Sequence, residues 1–269
     1  MKTVFITGTS SGIGKATAKL FHSKGWKIIA TMRNPAAETE LSKLKNVIVL
    51  QCDVTNKDSI KSSIKTGIRT FGNIDVLVNN AGYYTIGSFE TATDEQIRRQ
   101  IDTNLLGLIN TTKEIIPHFR EQKSGTIINL SSIAGNVTFP LQALYHATKW
   151  GVEGFSESLQ YELKHFNIKI KIIQPGVTKT DFFGRSMTVT KDDNLKEYDS
   201  YYQKVMNNLM KSVVEGSNPE EIAQTIYNAA TDNKSKLRYL TGKFKGVVYI
   251  RKLLPVNLFR AIVRFSMEK

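Results

Sequence analysis

An α/β architecture, a doubly wound parallel sheet in a single domain, is predicted for this chain by three observations. Short β-branched apolar runs alternate with segments of helical periodicity through the first 175 residues. A glycine-rich turn joins the first run to the first helical segment. The 269 residues contain no low-complexity linker and no internal repeat. Repeated strand–helix alternation builds right-handed βαβ units, whose helices cover both faces of one parallel sheet.

The elements follow in order. Val4–Thr7, Lys27–Thr31, Val47–Gln51, Asp75–Asn79, Thr126–Leu130 and Ile168–Gln174 have the length and β-branched content of buried strands. Between them, Gly12–Ser23, Ala36–Lys43, Asn56–Phe71, Asp94–Gln122 and Gln142–His165 have helical periodicity, with Asn56 and Asp94 as start signals. After Pro175 the pattern changes. Residues 181–216 are irregular and rich in aromatics and Met, as in a lid over a substrate. Asn218-Pro219 starts a helix over Pro219–Thr231, and Leu237–Leu240 reads as one more strand. Residues 1–242 thus form the body of one domain, and 243–269 a basic amphipathic extension of it.

Composition removes several function classes. Apolar residues make up 41% and charged residues 23%, too apolar for disorder. The single cysteine, Cys52, allows no internal disulfide, and four scattered histidines have no zinc-site spacing, so no metal is expected. The amino terminus, Met-Lys-Thr-Val-Phe-Ile-Thr-Gly, lacks the apolar stretch of a signal peptide, and no run approaches the roughly 18 residues of a membrane span. A cytoplasmic setting is expected.

Four motifs carry chemistry. Thr7-Gly8-Thr9-Ser10-Ser11-Gly12-Ile13-Gly14 follows a strand and opens a helix. Glycines there permit a tight turn and close approach of a pyrophosphate, and the helix N-terminus offers free N–H groups. This context makes the sheet Rossmann-like. At the second strand's end stands Arg33, with no acidic residue before Glu38, a pattern that favours NADP(H) over NAD(H). Asp53 follows the third strand, where it could accept from an adenine amino group or cap the next helix. Asn79-Asn80-Ala81-Gly82 ends the fourth strand. Tyr145 and Lys149, at i and i+4 on a helix, share one face, and an ammonium there favours the phenolate and lowers the tyrosine pKa. Ser131-Ser132 closes the fifth strand.

In this order and company the motifs resemble the classical short-chain dehydrogenases/reductases, with a match over roughly residues 2–240. Asn104 and Pro175-Gly176-Val177-Thr178-Lys179-Thr180 extend it. The resemblance implies that Tyr145 is the general acid/base, that Lys149 bonds the nicotinamide ribose, and that Ser132 orients the carbonyl. It implies that Asn104 distorts its helix and holds a water in a proton relay from Lys149. It implies that Gly8, Ser11, Ile13 and Gly14 wrap the pyrophosphate while Arg33 takes the 2′-phosphate. Asp53, Val54 and Asn80, with Ala81 and Gly82, would line the adenosine side; Pro175, Gly176, Val177 and Thr180 would lie toward the nicotinamide. Ser11 departs from the family, because NADP-preferring members often carry a basic residue there. The implied activity is hydride transfer between NADP(H) and a ketone, aldehyde or alcohol. A dinucleotide-binding sensor without turnover is the alternative.

Partners follow from the remaining features. Val137, Phe139, Pro140 and Leu141, with the aromatics of 181–216, suggest a hydrophobic small-molecule substrate. Ala143, Ala147 and Gly151 form a stripe of small residues, and the resemblance implies a homodimer or homotetramer through that helix. The net charge is +13, and residues 243–269 hold +6 of it. No nucleic-acid motif accompanies the charge. In that tail Leu253, Leu254, Leu258, Phe259, Ile262, Val263 and Phe265 interleave with basic residues. The tail reads either as a helix in weak contact with a membrane surface or, favoured, as an element closing the substrate pocket.

Overall fold

Period-two alternation within each strand sends successive side chains to opposite faces, so a strand buried on both faces is apolar throughout. All five residues of β1 (Thr3–Thr7) are buried. Val4 and Ile6 enter one core with β2 (Lys27–Met32), α1 (Gly12–Ser23) and α7 (Pro219–Thr231). Phe5 enters the other, with Ile60 and Ile64 of α2 (Lys57–Phe71) and Ile115 and Phe119 of α4 (Gly107–Glu121). The structure, a computed structural model, describes residues 1–268; Lys269, a basic residue of the tail, lies outside the described residues.

The main sheet has seven parallel strands in the order β3-β2-β1-β4-β6-β7-β9, where β3 is Val47–Gln51, β4 Val76–Asn79, β6 Gly125–Leu130, β7 Ile168–Pro175 and β9 Arg238–Thr241. The chain reverses its direction of travel across the sheet between β1 and β4, which opens a crevice at the strand carboxyl ends. Asn56 caps α2 by accepting from the Ser59 N–H at 3.0 Å. At the far edge Lys171 of β7 is buried and bonds Asp232 and Tyr239, which ties β7 to β9 and the end of α7.

The structure corrects the sequence reading in four places. Residues 36–43 form no α-helix. Two separate 3₁₀ turns, Pro35–Ala37 and Leu41–Lys43, stand there, because the Glu38 carboxylate turns inward and accepts from the N–H groups of Glu40 and Leu41. The segment 94–122 is not continuous. It comprises α3 (Asp94–Ile101), a π-helical turn over Asp102–Leu106, and α4. The irregular 181–216 stretch contains β8 (Met187–Thr190), which pairs in parallel with β5 (Tyr84–Gly87), and α6 (Asp199–Val214). The tail forms two helices, α8 (Gly246–Leu253) and α9 (Val256–Glu268). Among the described residues no helix is long and apolar enough to cross a membrane.

Candidate active site

The crevice is one cleft of about 870 Å³. It is lined by Gly8, Ser11, Ile13, Gly14, Arg33, Asp53, Val54, Asn80, Ala81, Gly82, Ser132, Tyr145, Lys149, Pro175, Gly176, Val177 and Thr180. Of the catalytic and dinucleotide-binding residues singled out from the sequence, Asn104 alone is not part of this lining. Of the expected apolar wall Phe139 lines the cleft, whereas Val137, Pro140 and Leu141 do not, because Val137 and Leu141 pack into neighbouring core clusters.

At one end lies the glycine loop. Gly8 and Gly12 hold positive φ values of 72° and 55°. A Cβ on Gly14 would strike the Gly8 carbonyl oxygen and the Asn80 amide. Asn80 fastens the loop, donating through Nδ2 to the carbonyls of Thr7 and Gly8, each at 2.9 Å. The loop therefore holds a cradle open at the N-terminus of α1, and its shape and N–H groups fit a pyrophosphate. Arg33 lies exposed at the end of β2 on the rim of this cradle. Glu38 is absent from the lining, because its side chain is buried in the two backbone bonds described above and stands 3.6 Å from Lys15. Asp53 accepts from the Thr55 N–H at 2.9 Å and the Thr55 hydroxyl at 2.8 Å, so it holds its own turn and leaves the capping of α2 to Asn56.

At the other end β6 delivers Ser132, and α5 (Ala143–Leu163) delivers Tyr145 and Lys149 from successive turns. Ser132 Oγ accepts from the Ala134 N–H at 3.1 Å and donates to the Pro175 carbonyl at 3.4 Å. His146 pins the loop between them: its Nε2 accepts from the Phe139 N–H at 2.8 Å, which leaves Nδ1 to donate to the Ala134 carbonyl at 2.9 Å. Lys149 Nζ donates to the Leu130 carbonyl at 2.7 Å and lies 5.7 Å from the centre of the Tyr145 ring. Burial brings the Lys149 ammonium down to about 8, partly offset by Glu153. Tyr145 goes the other way from the sequence expectation. Burial among apolar rings lifts its phenol well above the ordinary value, and the Ser132 hydroxyl offsets this only in part.

Asn104 sits in the π-helical turn with both amide atoms bound to the Tyr83 backbone, Oδ1 accepting at 3.0 Å and Nδ2 donating at 2.8 Å. It thereby anchors the chain just after Asn80-Ala81-Gly82.

Several residues of the cleft were not singled out from the sequence. Tyr84 is buried, its ring meets Tyr145 edge-on at 5.0 Å, and its hydroxyl has no hydrogen-bond partner among the described residues. Arg185 reaches from the segment before β8 to donate to Ser11 Oγ at 3.0 Å. Phe244, Val247 and Met267 bring the tail into the lining. The aromatic richness of 181–216 and the amphipathic tail hinted at this wall; the contact of Arg185 with Ser11 joins positions 174 residues apart and leaves no local signal.

A doubly wound sheet with a pyrophosphate cradle at its switch point, and a Ser, a Tyr and a Lys beside it, defines a nicotinamide-dinucleotide oxidoreductase. The comparisons with known proteins agree. The chain matches the short chain dehydrogenase family over residues 2–190. It is 44% identical over 213 residues to an uncharacterised oxidoreductase of Schizosaccharomyces pombe, covering 79% of this chain and 89% of that one. It is 32% identical to the 3-ketodihydrosphingosine reductase of Bacteroides thetaiotaomicron, covering 97% of this chain and 96% of that one. Its fold matches the crystal structure of a short-chain dehydrogenase from Streptomyces avermitilis with a TM-score of 0.83 and 29% identity, covering 98% and 97% of the two chains. The protein belongs to the short-chain dehydrogenase/reductase family.

Proposed function

We propose that this protein is an NADP(H)-dependent carbonyl reductase, or alcohol dehydrogenase in the reverse direction, acting on a hydrophobic ketone, aldehyde or the matching alcohol. One observation carries the reading: Ser132, Tyr145 and Lys149 meet at the floor of a cleft whose other end is a pyrophosphate cradle. When bound, the dinucleotide supplies or accepts the hydride. Ser132 Oγ orients and polarises the substrate oxygen. Tyr145, kept protonated by burial, gives that oxygen its proton during reduction. The nearby Lys149 cation then steadies the phenolate left behind. Asn104 acts as a positioning residue through the Tyr83 backbone and, in this reading, holds a water that relays protons toward Lys149.

The NADP(H) preference rests on Arg33 at the rim and on Glu38 being turned away from it. The apolar character of the substrate rests on Tyr84, Phe182, Phe183, Leu209 and Met267. A homodimer or homotetramer is inferred on the outer face of α5, where Ala143 and Ala147 of the small-residue stripe are exposed beside Trp150, while Gly151, the third member of the stripe, lies against Leu105 of the same chain. A panel of ketones, aldehydes and alcohols assayed by NADPH absorbance tests the reading. Turnover of apolar carbonyls is expected. Tight dinucleotide binding with no turnover across the panel would favour the sensor reading instead.

A further inference from the structure

The tail resolves into two functions on two faces. The inner face of α9 packs into the molecule. Phe259 is buried, and with Val263 it joins a cluster with Ile133 and Val137 of the loop after Ser132. Asn208 of α6 donates to the Met267 carbonyl at 3.1 Å, and Ser266 and Met267 line the cleft. This face closes the pocket.

The outer face is apolar as well. Leu258 and Ile262, at i and i+4 on α9, are 51% and 44% exposed. On α8 Tyr249 and Ile250 are exposed, and Leu253 is 82% exposed. Val256, at the start of α9, is exposed too. A hairpin that only closed the pocket would carry polar residues on this side. Instead its exposed charged positions are all basic: Lys243, Lys245, Lys252, Arg260 and Arg264, with Asn257 and Ser266 as exposed neutral polar residues. The one acid of the described tail, Glu268, is half-buried and engaged by Tyr201 and Arg264. The exposed apolar residues therefore lie within a field of one sign, with no exposed carboxylate to offset it.

We infer that the outer face of α8 and α9 docks on an anionic membrane surface. The charge identifies the occupant. An apolar stripe flanked by Lys and Arg is complementary to a lipid interface, where the apolar side chains enter the acyl boundary and the basic ones reach the headgroups. With 8 and 13 residues, the two helices are too short to span a bilayer and lie along it. Because α9 is also a wall of the cleft, docking sets the pocket beside the bilayer, where an apolar substrate partitions. That last step rests on the reductase reading, whereas docking itself does not.

Co-sedimentation of the full chain with vesicles tests the docking without turnover, so its failure would leave the redox reading untouched. The probes are phosphatidylcholine vesicles with and without about 30% phosphatidylserine. The wild-type chain is expected to pellet with the anionic vesicles, at least about tenfold more weakly with the neutral ones, and less as salt rises. The variant Leu253→Glu/Leu258→Glu/Ile262→Glu is expected to lose about tenfold or more in affinity while still melting cooperatively. Lys252→Glu/Arg260→Glu, which leaves the apolar stripe intact, is expected to weaken anionic binding by a similar factor and serves if the triple variant does not fold. The inference is overturned if the wild type stays in the supernatant, if both vesicles bind equally, or if a folded variant of either kind pellets like the wild type. Loss of a wild-type dimer in the triple variant, with no vesicle binding by either, would assign the face to a second copy and overturn it too.

Discussion

Replacing Lys149 by Met exposes the tension between stability and function at this site. The ammonium is buried against the Leu130 carbonyl, and burial holds its pKa near about 8. In the unfolded chain the value returns to the ordinary 10.5. Below pH 8 both states carry the proton, so the native state bears the full penalty, about 3 kcal/mol for that gap. Between about 8 and 10.5 the native state sheds the proton while the unfolded chain keeps it, so wild-type stability rises with pH and the penalty fades. Met has similar length and no charge. It leaves the Leu130 carbonyl without its donor, a loss of about 1 kcal/mol. At pH 7 the Met variant is therefore expected to be more stable by about 2 kcal/mol, which raises its Tm by about 4–8 °C for a chain of this size. The advantage is expected to vanish toward pH 10. Melting both proteins by circular dichroism at intervals from pH 6 to 10 measures the gap. A gap that is absent at pH 7, or that does not narrow as pH rises, would refute the reasoning. Turnover by the Met variant should be lost at every pH.

Three further outcomes are expected. Tyr145→Phe removes the proton donor and should lower turnover by about 10²-fold or more, while dinucleotide binding read by fluorescence changes little; retained activity would remove Tyr145 from the chemistry. Arg33→Ala should weaken NADPH binding by about 10–100-fold and leave NADH binding nearly unchanged; an equal loss for both would show that Arg33 reads no 2′-phosphate. Gly14→Ala places a methyl group against the Gly8 carbonyl and the Asn80 amide. It should weaken both dinucleotides more than about tenfold and lower stability by about 1–3 kcal/mol, which titration and thermal melting would measure; unchanged affinity would mean that the loop does not cradle the pyrophosphate.

Much of the scaffold was legible because its signals are local. Buried parallel strands such as Val4–Thr7 must be apolar on both faces, and Asn218-Pro219 punctuates a helix start within two residues. The errors have several causes. At 36–43 helical spacing was present, but the Glu38 carboxylate found backbone N–H groups in a non-helical turn. At 102–106 the periodicity continued and gave no sign of a break; the resemblance alone implied a helix distorted at Asn104, and a π-helical turn stands there with Asn104 bound to the Tyr83 backbone. Strands β5 and β8 were missed because each has only four residues and their paired residues lie 103 positions apart in sequence.

The sequence by itself determined the class of sheet and the strand–turn–helix of the glycine loop, since spacing along a strand or helix dictates which side chains share a face, and the resemblance of its motifs to a family singled out Ser132, Tyr145 and Lys149. Tertiary structure decided the rest. The direction of the Tyr145 shift depends on its burial among the rings of Tyr84 and Phe182, because desolvation acts through every neighbour while the Ser132 hydroxyl offsets it through one hydrogen bond. The position of Arg185 over the glycine loop and the inward turn of Glu38 are likewise set by contacts between distant segments. The basic tail needed the fold most. Its amphipathic pattern was visible as residue spacing, but only packing on the loop after Ser132 and on α6 selected which face is covered and which stays in contact with solvent.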